Sequence, residues 1–79
     1  MSTNWKGYYA EKAVRFAHDP DRSAGQAELI GTIGGITVNP NTPDSVKVDR
    51  INHLLSCYFQ ALVLPEAEAR ATLVMKGGR

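Results

Sequence analysis

Residues 54–64, LLSCYFQALVL, constrain this chain more than any other stretch. Only Ser56 and Gln60 are polar in it. Wind the run and the turn before it as a helix, at about 100° per residue. The apolar residues Val48, Ile51, Leu54, Leu55, Cys57, Tyr58, Phe59, Ala61, Leu62 and Leu64 then cover roughly 220° of the circumference. A helix lying on one small core needs an apolar arc little wider than about 100°. The arc therefore predicts a helix that packs on two sides. A chain of 79 residues has few other segments to cover the second side. Another copy of the chain, or a partner protein, is the expected cover. Leu54, Leu55, Tyr58, Ala61 and Leu62 are its candidate self-association residues.

Length makes the same demand. A domain of this size buries only about 60% of its unfolded surface, so a lone core is marginal and oligomerisation is a common remedy. The other remedies are not expected. Cys57, the one cysteine, forms no intramolecular disulfide, and no Cys/His spacing suggests zinc. No metal and no cofactor is expected. An unpaired thiol inside an apolar run reads as a small buried hydrophobe in a reducing compartment.

Lys and Arg number 9 against 8 Asp and Glu, a net charge of +1. That balance argues against nucleic-acid binding by bulk electrostatics and against an acidic DNA mimic. Residues 1–12, MSTNWKGYYAEK, hold no apolar signal core. The run ending at Leu64 is shorter than the roughly 20 apolar residues a membrane span needs. The expectation is a cytoplasmic protein that does not enter a membrane.

The rest of the chain reads as helices between clear stops. Residues 4–18 form a first helix, with Trp5, Tyr9, Ala13 and Phe16 sharing one face and Asn4 as a cap. Asp19-Pro20 ends it. Ser23 and Gln26 have the spacing of a capping box and open a second helix through Ala27, Leu29, Ile30 and Ile33. Gly31, Gly34 and Gly35 each cost that helix up to about 1 kcal/mol relative to alanine. They predict its end near Gly34 or Gly35, with residues 36–38 extended. Residues 39–44 are a loop. Thr42 is the expected cap and Pro43 the first position of a third helix over residues 43–63. Pro65 interrupts it. A last helix begins at Glu66 and stops at Gly77-Gly78.

Chemical signals are sparse. His18 lies beside Asp19 and Asp21 at a helix end, where a histidine suits the dipole better than a metal. Asp49 and His53 are spaced to pair across one turn. Ser56 and His53 stand three apart on one helix, which offers a nucleophile no enclosed pocket and no oxyanion donors. The run Gly31-Thr32-Ile33-Gly34-Gly35 lacks the Gly-Lys-Ser/Thr ending and the strand-to-helix setting of a phosphate loop. Tyr8, Lys12 and Arg15 lie along one side of the first helix. An aromatic face beside two cations suits a nucleotide, a phosphate or a protein partner. Residues 23–55 can be arranged as a helix-turn-helix. Its face would be Asp44, Ser45, Lys47, Asp49 and Arg50, and its connection is longer than that motif uses.

These readings converge on an all-α domain spanning residues 1–79. It is a small bundle of three to four helices completed by self-association. The expected role is non-catalytic protein binding, as a homo-oligomeric adaptor or inhibitor. Two alternatives are a small DNA-binding regulator and a protein that sequesters a nucleotide-type ligand through Tyr8, Lys12 and Arg15.

Overall fold

A computed structural model describes residues 5–76. Among them are four α-helices, one π-helix and no strand: α1 Trp5–Ala17, α2 Arg22–Val38, α3 Asp44–Leu62 and α4 Glu66–Ala69, which runs into a π-helix at Arg70–Lys76. The principal extents are 35 × 28 × 17 Å, a slab two helices thick.

Helix α1 is the hub. Its buried face is built from small residues, Gly7, Ala10 and Ala13, with Val14 and Phe16 as the larger anchors. Small side chains let a neighbouring helix come close, and α1 makes its broadest contact with α3. Trp5 and Tyr9 share a face with Ala13 and Phe16, as their spacing predicts. Yet both are only half-buried, at the margin of the packed surface. Val14 and Leu54 are the largest fully enclosed side chains. Burying each is worth about 1.5–3 kcal/mol.

Both histidines tie α1 to α3. The Nε2–H of His18, just past the end of α1, donates to the Ala61 carbonyl in the last turn of α3 at 2.8 Å. The Nε2–H of His53 in α3 donates to the Lys6 carbonyl near the start of α1, also at 2.8 Å. The two bonds run in the same sense along the chain, so α1 and α3 are parallel. His53 is thus bound to α1, and Asp49 is not its partner.

Helix α2 differs from expectation at both ends. Its cap is Asp21, whose carboxylate accepts from the Ser23 and Ala24 amides at 3.0 and 3.3 Å. Ser23 is therefore inside the helix. An aspartate two residues earlier offers a charged acceptor at the positive end of the dipole. The helix then continues through all three glycines to Val38. Leu29, Ile33 and Ile36 keep one apolar face on the core. The stop is supplied by Asn39-Pro40, because the residue before proline leaves helical geometry. Residues 36–38 are helical, and Thr37 donates its hydroxyl to the Ile33 carbonyl.

The third helix begins one residue later than predicted. Pro43 stands at its cap with no side-chain bond, and its carbonyl accepts from the Val46 and Lys47 amides at 3.0 Å. Thr42 is not the cap. The proposed caps and stops at Asn4, Gly77 and Gly78 lie outside the described residues. Arg70 fastens the C-terminal segment to the hub. It donates to both Glu11 oxygens at 3.0 and 2.8 Å and to Glu66 at 3.1 Å.

Candidate functional site

Two surfaces stand out, and the first is a cleft. It has a volume of about 260 Å³ and lies where the start of α1, the end of α2 and the start of α3 converge. Tyr8, Tyr9 and Lys12 line it from α1. Thr32, Gly35 and Ile36 line it from α2, Asn39 and Thr42 from the loop, and Arg50 from α3. Two of these residues are cations, and no carboxylate is among the described lining residues. Lys12 Nζ sits 5.1 Å from the Tyr8 ring centroid and Arg50 Cζ 5.6 Å from that of Trp5. The Arg50 Nε is buried and has no hydrogen-bond partner among the described residues.

Of the predicted contact stripe Tyr8, Lys12 and Arg15, the first two line this cleft. Arg15 does not line it. It is exposed on the far flank, where its charge acts on Glu11. Sequence reasoning placed Arg50 on a hypothetical DNA-reading face and Thr42 in a cap. In the structure both point to the cleft instead. No local sequence signal pairs Arg50 with Trp5, since the two stand 45 positions apart.

The second surface is a stripe on α3. Leu54, Tyr58 and Ala61, three of the predicted self-association residues, are buried inside the chain itself. They touch the core shared with α1, so they are not available to a partner. Leu55 and Leu62 are half-buried. The side of the apolar arc left open is carried by Val48, Leu55 and Phe59, which fall within about 40° of one another. Val63 follows at the helix end. Phe59 is 61% exposed and Val63 80% exposed. Helix α2 adds Ile30 at 68% and Val38 at 75%.

Other candidates dissolve into packing. Cys57 is buried, with its Sγ 3.7 Å from His53 Nε2. Burial pushes its thiol pKa up. The His53 Nε2 proton is committed to the Lys6 carbonyl, so that nitrogen is no base for the thiol. Ser56 accepts from the Gln60 side chain at 3.1 Å. His18 faces α3, away from any aspartate ligand set. Among the described residues no group of three or more His, Cys, Asp and Glu is placed to hold a metal ion. No helix among them is long and apolar enough to cross a membrane.

On the proposed DNA-reading face Asp44, Ser45 and Asp49 are exposed, while both cations contact the protein itself. Lys47 donates to the Thr37 carbonyl at 2.8 Å and lies 3.9 Å from Asp44. Arg50 stacks on Trp5. Two of its cations are therefore engaged by the protein.

No family model, curated protein or solved structure matches this chain.

Proposed function

We propose that this chain is a small non-catalytic module that works by presenting apolar helical surface to protein, first of all to a second copy of itself. The observation that carries the reading is the open stripe Val48, Leu55, Phe59 and Val63 on α3. Exposed large hydrophobics are ordinary when scattered singly. Here exposed Val48, Phe59 and Val63, with half-buried Leu55 between them, recur at seven- and four-residue steps on one helix face. The uncharged end of α2, with Ile30 and Val38, adds to the supply.

Magnitudes set the strength. Covering Val48, Phe59 and Val63 on two copies stabilises the pair by about 1–1.5 kcal/mol per side chain, or about 6–9 kcal/mol in all. Association costs about 4–15 kcal/mol in lost freedom. The two are close, so the assembly is concentration-dependent and sensitive to single substitutions.

Light scattering coupled to size exclusion tests this. The wild type is expected at a multiple of its 8.6 kDa mass at tens of micromolar. Phe59→Asp is expected at the monomer mass with its helical circular dichroism intact, because Phe59 contributes little to the core. A wild type that stays monomeric across that range overturns the self-association reading.

A further inference from the structure

We infer that the cleft between α1, α2 and α3 binds a small phosphate monoester carrying a planar ring, with a nucleoside monophosphate at the upper limit of size.

The argument begins with charge. Lys12 and Arg50 approach the cleft from different helices, and nothing acidic among the described lining residues neutralises them. Within a single fold this is a costly arrangement to leave empty. Like charges repel, and the buried Arg50 Nε has no partner among the described residues to offset its lost hydration. An anion in the cleft relieves the repulsion, held by the outer guanidinium nitrogens while Nε stays sealed from solvent. The guanidinium offers a planar fork that matches phosphate oxygens in pairs, and the Lys12 ammonium supplies a compact second charge.

The neutral lining has the matching polarity. The Asn39 side-chain Oδ1 already accepts from the Asn41 backbone amide at 2.9 Å. Its side-chain NH₂ is left to donate. The Thr32 hydroxyl proton is committed to the Glu28 carbonyl, so Thr42 and the tyrosine hydroxyls are the better donors. The remaining walls suit a ring. Tyr8 and Tyr9 stand edge to face, 5.1 Å between centroids, and Ile36 provides an apolar floor. Gly35 has no atom within 4 Å of where a Cβ would stand, so a ligand can approach the backbone there. Size limits the occupant. At about 260 Å³ the cleft lies just under the roughly 300–1,000 Å³ typical of drug-sized sites.

This site is separate from the α3 stripe, and the two proposals stand or fall independently. The test is an amide NMR titration of the full chain with adenosine monophosphate, inorganic phosphate and adenosine. Saturable shifts are expected at Thr32, Gly35, Asn39 and Thr42 with adenosine monophosphate. Phosphate is expected to move the same signals more weakly, and adenosine to have little effect. Lys12→Gln and Arg50→Gln are each expected to weaken nucleotide binding by about tenfold or more, a loss of about 1.4 kcal/mol. Arg15→Gln, outside the cleft, is expected to leave it unchanged. Should Arg50→Gln unfold, Lys12→Gln decides, since its ammonium is at the surface of α1. The inference is overturned by the absence of saturable shifts at about 10 mM ligand, where even a millimolar site would fill. It is overturned equally by adenosine binding as tightly as its monophosphate, or by Lys12→Gln having no effect.

Discussion

Glu11 and Arg70 are 59 residues apart and form the closest-knit ion pair among the described residues. The two hydrogen bonds from Arg70 hold the Glu11 carboxyl below its usual pKa of 4.5, against the opposing pull of partial burial. A carboxylate with a lowered folded pKa adds stability above its unfolded value, and that contribution disappears as pH falls through the folded value. The wild type is therefore expected to lose more stability than Glu11→Gln between pH 6 and pH 3, measured by urea unfolding at about six pH values. At pH 7 the substitution is expected to cost about 0.5–1 kcal/mol, because both side chains are about one-third exposed and solvent screens them. Gly25 gives a sharper single-residue result. A Cβ there would stand 2.3 Å from the Phe16 carbonyl oxygen and 3.1 Å from Asp19 Cβ. Backbone cannot swing aside as a side chain can, so Gly25→Ala is expected to cost about 1–3 kcal/mol in thermal unfolding. Neither feature was legible in the sequence. No local rule marks Gly25 as a close-approach site, and no periodicity links position 11 to position 70.

At the scale of elements, α3 and α1 were legible because their apolar residues repeat at the helical period between unambiguous stops. Helix α2 was legible only in its first half. Local cost was read as decisive at Gly31, Gly34 and Gly35, whereas the tertiary contacts of Leu29, Ile33 and Ile36 outweigh it. The cleft was half legible for a similar reason. Tyr8 and Lys12 are one turn apart, but Arg50 and Thr42 reach them only through the fold. Gly31, Gly34 and Gly35 now separate two roles. Nothing lies within 4 Å of a Cβ at any of them, so each change to alanine is expected to add about 0.5–1 kcal/mol of stability. Differential scanning calorimetry of Gly34→Ala checks this, since Gly34 lies away from the cleft. Loss of assembly mass in the more stable variant would mark that face as a contact surface. Thr42→Ala, by contrast, is expected to leave stability near wild type, because Pro43 holds the cap and Thr42 makes no cap bond.

For the molecule as a whole, the all-helical class followed from periodicity, and the four α-helices match it. The width of the α3 arc was also legible, but not how the chain divides it. Helix α1 covers the half that holds Leu54, Tyr58 and Ala61, and the half that holds Val48 and Phe59 stays open. The central place of α1 has one more consequence, for the order of events during synthesis. Helix α1 leaves the ribosome first, while α3 and Arg70, which close over it, come 40 to 60 residues later. Until then its alanine face has only α2 against it. Contacts of such long sequence separation slow folding relative to helical bundles built from neighbours. A chain cut after Val38 is accordingly expected to show weak, non-cooperative helical circular dichroism, and protease resistance to appear only once Arg70 has emerged from the exit tunnel and reached Glu11.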